Sequence, residues 1–279
     1  MADCARCGRK LPAITFGKGS EICSNCRQAE QADVQRGGHV AQLLPAWRAG
    51  AIVTKAIIAI NCAVFLAMTL GGASLMGGDT QQLIRWGADA GLDTFVYGEW
   101  WRTITSAFVH IGIIHIFMNM WCLWNLGQMA ERIYDKGSYV GAYMLCALGG
   151  SIASLGWQPA AVTAGASGAI FGIAGLLITT FWMGNLSIPP EQTSAIMRSL
   201  LGFAGYNLLF GAAIPGISNS AHIGGLFTGL VLGGLMAPRL TRDPREKRGM
   251  RWLILAGATV ALMLLFGFVK TRVLAAYAQ

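Results

Sequence analysis

Seven hydrophobic runs, none of which contains an acidic residue, limit what this chain can fold into. Each run is close to the ~20 apolar residues that an α-helix needs to cross the hydrocarbon core of a bilayer. Only 12% of all residues are charged, about half the share that is usual in a soluble domain. The pattern predicts an all-α polytopic membrane protein with helices near residues 51–70, 103–129, 139–157, 167–183, 195–213, 220–236 and 252–269.

The first fifty residues differ from the rest, because they are polar and basic, show no signal peptide and carry four cysteines. Cys4 and Cys7 form one C-x2-C pair, and Cys23 and Cys26 form a second pair after a gap of 15 residues. Each pair can offer two thiolates to one metal ion, and four thiolates close a tetrahedral site. The spacing predicts a structural zinc ribbon over residues 1–30, with a polar linker over 31–50. Two disulfides are the alternative, and they require an oxidising compartment.

Lysine and arginine are concentrated in segments that fall on one side of the membrane if all seven runs span it. These segments are residues 1–50, the loop at Arg132–Lys136 and the basic loop 238–251. The positive-inside rule therefore places the N-terminus in the cytoplasm and the C-terminus outside, in a membrane such as the bacterial inner membrane. A cytoplasmic ribbon favours reduced, metal-bound cysteines. Since topology explains the positive charge, no nucleic-acid partner is expected, and the ribbon is expected to contact a protein or the membrane surface.

The absence of acidic residues from the seven runs excludes several kinds of membrane chemistry. An intramembrane aspartyl protease needs a pair of carboxylates within its spans, and a proton-coupled transporter usually buries an acid or a similar relay group. No histidine is followed by glutamate, so the H-E-x-x-H metalloprotease motif is missing. The polar side chains that remain for chemistry in the runs are Ser167, His110, His115, Asn119 and His222.

Sequence spacing suggests how these polar groups could meet. His115 and Asn119 are four residues apart, so they share one face of a helix. Gly225, Gly229 and Gly233 follow His222 at four-residue intervals, and Gly168 and Gly172 follow Ser167 in the same way. Stripes of small residues let two helices approach closely, which would bring His222 beside Ser167. The alternatives are that the glycines serve only general helix packing and that Ser167 is a helix cap.

With these residues and spacings, the sequence resembles the rhomboid family of intramembrane serine proteases, in a stretch that covers about residues 55–237. The resemblance implies a six-helix core over residues 51–237, in which a short helix starts at the serine inside a water-filled cavity. The seventh run, within residues 252–279, is similar to the extra C-terminal helix of some rhomboids. The matching pieces occur in the family's order and are Trp101-Arg102, His110-x4-His115-x3-Asn119, Glu131-Arg132, Gly165-Ala166-Ser167-Gly168 and Ala221-His222-x2-Gly225-x3-Gly229.

The resemblance implies a role for each matched residue and for one neighbour. Ser167 would be the nucleophile and His222 the general base and then the general acid, with no acidic third member and no catalytic cofactor. His115, Asn119 and the backbone N–H of Ser167 would bind the oxyanion. Phe171, one helical turn after the serine, is placed to stack on His222. Supporting structural roles fall to Gly165, Gly168, Gly225, Gly229, His110, Trp101, Arg102, Glu131 and Arg132.

Transmembrane segments of membrane proteins are the implied substrates, and the lipid bilayer is the implied surroundings. The sequence alone also allows two other functions. One is a catalytically silent binding or quality-control protein on the same fold, and the other is a metal or transport site made by His110, His115 and His222.

Overall fold

The computed structural model describes residues 50–77, 79–183, 188–214, 216–237 and 244–277, together with Cys4, Cys7, Lys10, Cys23, Asn25 and Cys26. The chain divides into two compact units, Met1–Gly50 and Ala51–Gln279. The linker predicted over residues 31–50 lies outside the described residues except for Gly50, and so do residues 238–243 of the basic loop. All the helices below belong to the second unit.

The described part of this unit is helical and contains no β-strand, which confirms the predicted fold class. A single antiparallel bridge joins Asp89 to Thr163. A π-helical turn lies at Leu92–Val96, and a short 3-10 helix lies at Ser106–Phe108. The α-helices are α1 (Ile52–Leu70), α2 (Thr80–Arg85), α3 (Arg102–Thr105), α4 (Ile113–Ile133), α5 (Lys136–Trp157), α6 (Ser167–Met183), α7 (Pro190–Ala213), α8 (Asn219–Met236) and α9 (Pro244–Tyr277).

The second hydrophobic run is broken, which corrects the continuous helix predicted over 103–129. The helical segment Arg102–Phe108 meets α4 at an angle of 94°. Between them the chain is extended at Gly112, whose neighbour Ile113 donates its N–H to the carbonyl of Leu75 at 2.8 Å. A Cβ added at Gly112 would lie 3.1 Å from that same carbonyl oxygen, so glycine suits the close crossing of the two segments. His110 therefore lies before α4 and not within it.

Helix α6 lies at the centre of the second unit, where it packs on α8 and α5. All but three of its 17 residues are buried, which explains why its sequence is apolar on every side. Glycines set its approach to α8. A Cβ added at Gly225 would lie 1.9 Å from the carbonyl oxygen of Gly168, and one added at Gly229 would lie 1.8 Å from that of Gly172. The two backbones are therefore in direct contact along the predicted stripe.

Two charged side chains hold backbone groups in place outside this helix pair. Glu131, near the end of α4, accepts hydrogen bonds from the backbone N–H groups of Val53 and Thr54 at 2.8 and 2.9 Å. It thereby caps the start of α1, whose first N–H groups have no partner within the helix. Arg102 is buried and donates to the carbonyls of Ile84 and Ala88, so it fixes the first loop, residues 71–101, from inside.

Helix α9 packs against the outside of α5 and reaches the first loop. A Cβ added at Gly141 of α5 would lie 2.8 Å from a Leu255 methyl carbon, so this glycine leaves room for α9. Farther along, Phe266 lies 5.3 Å from Phe95 between ring centroids. Much of the remaining surface of α9 is apolar and exposed, as expected of a helix that contacts lipid.

By length and composition, α1, α5 and the Arg248–Tyr277 part of α9 could each cross a membrane. The bent pair Arg102–Phe108 and α4 would make a fourth crossing if it counts as one span. Helix α6 is apolar but has only 17 residues. Among the described residues, the helices that meet this test are thus fewer than the seven runs.

Candidate active site

A cavity of about 610 Å³ opens at the N-terminal ends of α6 and α8. Its wall is formed by α4, α5, α6, α7 and α8 and by the connector, residues 158–166, between α5 and α6. Most lining side chains are apolar. The polar lining residues are Ser106, His115, Asn119, Ser151, Thr163, Ser167, Asn207, Ser218 and His222.

Ser167 and His222 are in hydrogen-bond contact within this wall, with the Ser167 Oγ 2.9 Å from the His222 Nε2. Ser167 is the first residue of α6, and His222 lies in the first turn of α8. Ser218 caps that turn by accepting from the N–H of Ala221 at 3.3 Å. The close α6–α8 crossing described above brings the two helix starts to the same level, so the pair follows from the helix packing.

The ring of Phe171 lies flat against His222, with ring centroids 4.2 Å apart and an interplanar angle of 10°. Phe171 also contacts Phe203 of α7, with ring centroids 5.5 Å apart. Packing on a rigid aromatic face limits rotation of the imidazole. Within the described residues the Nδ1 of His222 has no hydrogen-bond partner, so stacking and not a carboxylate orients the ring.

Gly165 occupies a position that suits only glycine. Its φ angle is +125°, a conformation that other residues rarely adopt. A Cβ at this position would also lie 2.7 Å from the His115 Cε1, so the bare backbone leaves room for the imidazole. The Gly165 N–H donates to the carbonyl of Ser106 at 2.9 Å, which fixes the connector two residues before Ser167.

His115 and Asn119 lie on the same wall, one helical turn apart in α4. The His115 Nδ1 lies 3.4 Å from the backbone N–H of Ile111 and accepts a hydrogen bond from it. This leaves the Nε2 as the ring N–H donor. The Asn119 side chain is buried and donates one amide hydrogen to the carbonyl of His115 at 2.9 Å. An asparagine amide has two hydrogens, so a second donor is available there.

His110 does not line the cavity. It is fully buried, its Nδ1 lies 3.3 Å from the carbonyl oxygen of Phe108, and its ring packs at 5.2 Å from that of His115. The metal alternative requires the ligand atoms of His110, His115 and His222 to converge on one point. Among the described residues, only the four cysteines form a group of this kind.

Four of the matched residues do not line the cavity, namely Trp101, Arg102, Glu131 and Arg132. Trp101 stacks on Arg102, with the guanidinium carbon 4.7 Å from the ring centroid, and Glu131 caps α1. Arg132 is exposed at the end of α4. These positions suit residues that hold loops and helix ends.

One polar cluster beside the cavity was not found from the sequence. Asp89, which the sequence places in a polar loop, is fully buried. Its carboxylate accepts hydrogen bonds from Thr94 and Ser151, and its backbone pairs with Thr163 in both directions at 2.9 and 2.7 Å. Burial raises the pKa of Asp89 to about 6, although the two hydroxyls and Arg102 favour its charged form. No local pattern indicates this cluster, because its members are far apart in the chain.

The four cysteines of the first unit come together as their spacing predicts. Their sulfur atoms all lie within 4.8 Å of one another. The Cys7 and Cys23 sulfurs are 3.7 Å apart, which is too far for a disulfide bond. Tetrahedral Zn–S bonds of ~2.3 Å require sulfur separations of about 3.8 Å, so the group fits a zinc ion.

Comparisons with known proteins identify the family to which the chain is similar. A family model described as "Rhomboid domain" matches residues 97–239. The chain is 34% identical over 209 residues to "Rhomboid protease GluP" of Bacillus subtilis, covering 75% of this chain and 38% of that protein. It is 35% identical over 138 residues to "RHOMBOID-like protein 6, mitochondrial" of Arabidopsis thaliana, covering 50% of this chain and 44% of that protein. A third relative is "RHOMBOID-like protein 7" of Arabidopsis thaliana, at 31% identity over 58% of this chain and 51% of that protein. The chain thus spans about half, or less, of the length of these relatives.

Proposed function

The chain belongs to the rhomboid family and is an integral membrane protein, and we propose that it is an intramembrane serine endopeptidase with a Ser167–His222 dyad. The observation that carries this proposal is the 2.9 Å contact between the Ser167 Oγ and the His222 Nε2 in the wall of a cavity. A nucleophile in contact with a base whose orientation is fixed by a third group is the arrangement that acyl transfer requires.

In the proposed reaction, the Ser167 Oγ attacks the scissile carbonyl carbon while the His222 Nε2 takes the hydroxyl proton. The imidazolium then gives this proton to the leaving amine, which leaves an acyl-enzyme on Ser167. A water molecule, deprotonated by His222, attacks the acyl carbon, and the proton returns to Ser167 when the acid product leaves. Stacking on Phe171 holds the ring for each transfer.

The oxyanion of each tetrahedral intermediate would accept hydrogen bonds from the His115 Nε2, the Asn119 amide and the Ser167 N–H. The Ser167 N–H is at the start of α6, where unpaired N–H groups gather partial positive charge. Asn119 donates one amide hydrogen to the His115 carbonyl, so its other amide hydrogen is the one proposed to bind the oxyanion.

Transmembrane segments are the substrate class that fits a cavity lined by apolar side chains of α4 and α7, such as Met118 and Phe203. A helix exposes no scissile carbonyl until it partly unwinds, so small residues, glycine or proline near the cleaved bond should favour cleavage. We further propose that Cys4, Cys7, Cys23 and Cys26 hold a structural zinc ion, which closes the site with four ligands and leaves no open position for catalysis.

For topology, we propose a cytoplasmic N-terminus, an external C-terminus and a membrane of the bacterial inner-membrane type, from the distribution of Lys and Arg. The segments that carry most of these residues, 1–50 and 238–251, then share the cytoplasmic side. The cavity would open toward the outer side.

Cleavage of a reconstituted transmembrane substrate tests the enzymatic proposal. Ser167→Ala and His222→Ala should each abolish cleavage and leave the thermal unfolding of the protein nearly unchanged. Ser199→Ala removes an exposed hydroxyl from α7 and is the control, with parental activity expected. Cleavage by Ser167→Ala at the parental rate would refute the dyad. Substrate binding without cleavage by the parent would instead favour the catalytically silent alternative.

A further inference from the structure

We propose that Ser151 accepts a hydrogen bond from a backbone N–H of the bound substrate, and that Asp89 is the positioning residue that fixes Ser151 in this role. The proposal rests on the proposed protease function and adds a substrate contact to it. It starts from two observations. Ser151 lines the same cavity as Ser167 and His222, and its hydroxyl donates to the buried Asp89.

The direction of that hydrogen bond decides what Ser151 can offer to the cavity. A hydroxyl has one hydrogen and two lone pairs. An ionised carboxylate accepts only, so the hydrogen of Ser151 must point to Asp89. The lone pairs of the Ser151 oxygen are then the groups left for a ligand. A peptide N–H is the complementary donor that every substrate backbone carries, and an unwound transmembrane segment has N–H groups without partners.

Asp89 is held firmly enough to fix this direction. Its second carboxylate oxygen accepts from the Thr94 hydroxyl at 2.5 Å, and its backbone pairs with Thr163 of the connector that leads to Ser167. Two charged groups act on Asp89, namely Asp93 of the same loop and Arg102 at the start of α3. The residues of α5 and of the connector that pair with Asp89 are Ser151 and Thr163, which carry hydroxyl groups and no charge. Asp89 therefore links the first loop, α5 and the connector at the cavity wall.

Protonation of Asp89 would reverse the arrangement. The neutral acid carries its own hydrogen and can donate it to Ser151, whose hydrogen then turns toward the cavity. A donor at this place cannot accept a substrate N–H. Since burial raises the pKa of Asp89 to about 6, this change would fall in a range that an activity assay can reach.

Asp89→Asn is the main variant, because the amide keeps the shape of the side chain and offers one acceptor and one donor group at every pH, like the protonated acid. Ser151→Ala removes the proposed acceptor itself. Thr94→Ala is the matched control: it removes the other hydroxyl bound to the same carboxylate, but Thr94 does not line the cavity.

The experiment measures kcat and the apparent KM for a reconstituted transmembrane substrate between pH 5 and 8, with thermal unfolding recorded for each variant. For the parent, KM should rise as the pH falls below about 6. At pH 7.5, Ser151→Ala and Asp89→Asn should each raise KM roughly three- to tenfold, the worth of one hydrogen bond, with kcat nearly unchanged. Neither variant should retain the rise of KM at low pH. Thr94→Ala should keep the parental KM at pH 7.5 and should retain this rise, which should begin at a somewhat higher pH because the Thr94 hydroxyl favours the charged form of Asp89.

Equal effects of Ser151→Ala and Thr94→Ala on KM at pH 7.5 would overturn the proposal, because they would show that the hydrogen bonds to Asp89 only stabilise the fold. A fall in kcat alone would also overturn it, since the hydroxyl would then act on a later step, such as one that involves water. If the parent and Ser167→Ala are both inactive, the protease assignment fails. If the parent cleaves and KM does not respond to Ser151→Ala, only the present inference fails.

Discussion

Because Gly229 of α8 contacts the backbone of α6, we expect Gly229→Ala to lower both the activity and the thermal stability of the protein. The added Cβ would lie 1.8 Å from the Gly172 carbonyl oxygen, whereas such contacts essentially never fall below 3.0 Å. The obstacle is backbone, which cannot rotate away as a side chain could. The two helices must therefore separate by at least about 1.2 Å at this point.

A separation of this size would disturb the dyad as well as the packing. If α8 moves as a rigid body, the 2.9 Å contact between Ser167 and His222 lengthens beyond hydrogen-bond distance. Misplacing catalytic groups by about 1 Å costs roughly 100-fold in rate, and we expect kcat/KM to fall by about this factor. Forcing an extra carbon into a packed core destabilises by about 1–3 kcal/mol, so the thermal midpoint should fall too.

Gly234→Ala, five residues later in α8, is the matched control. The nearest atom to its added Cβ is the Met183 sulfur at 3.6 Å, which is an ordinary contact. Both changes gain the same helix propensity of about 1 kcal/mol, so any difference between them reports the contact with Gly172. Thermal unfolding in detergent and cleavage of a transmembrane substrate are measured on both. Parental stability and activity in Gly229→Ala would refute the close backbone contact.

Three further predictions concern groups outside the dyad. Glu131→Gln should lower the free energy of unfolding by about 1–3 kcal/mol, because an amide cannot accept all the hydrogen bonds from Val53 and Thr54; an unchanged urea midpoint would contradict the cap. The purified parent should contain zinc by elemental analysis, and Cys23→Ser should lose it; equal zinc in both would exclude the cysteine site. The raised pKa of Asp89 means that its neutral form contributes stability below pH 3.8 that is lost as the pH rises through about 6. The stability of Asp89→Asn relative to the parent should therefore improve by about 3 kcal/mol between pH 3.5 and pH 7.5, whatever the amide costs in hydrogen bonds to Ser151 and Thr94, and the same difference at both values would show that charge is not the cause.

The helix pattern could be predicted from the sequence because helices inside a membrane are apolar runs bounded by polar residues, whether lipid or protein surrounds them. Helix α6 spans the residues predicted for the fourth run, 167–183, and the other runs agree with helices to within several residues at most ends. The break before α4 was not predictable in this way. Residues 103–129 are apolar on both sides of Gly112, and hydropathy carries no information about a bend that a distant carbonyl, that of Leu75, helps to fix.

Part of the candidate site could also be predicted from the sequence, and part could not. Ser167 and His222 could be paired from the sequence because glycine spacing limits how α6 and α8 can pack. The burial of Asp89 could not be predicted, since it depends on Ser151 and Thr163, which come from other segments and have no spacing rule that connects them to residue 89. The sequence indicated a structural role for Glu131, but it could not identify its partner, Val53, which lies far away in the chain.

The contact between Phe266 and Phe95 has a consequence for the order of assembly during synthesis. Phe95 belongs to the first loop and is made early, whereas α9 is the last of the described helices to leave the ribosome. The apolar cluster that covers Phe95 also needs Val273 from α9, so the loop cannot complete its packing until that helix has been inserted. The loop also carries Asp89, which contacts the cavity wall. A nascent chain that has inserted the helices up to α8 would thus contain both Ser167 and His222 before its first loop is fully packed, and insertion of α9 would be the step that completes this packing.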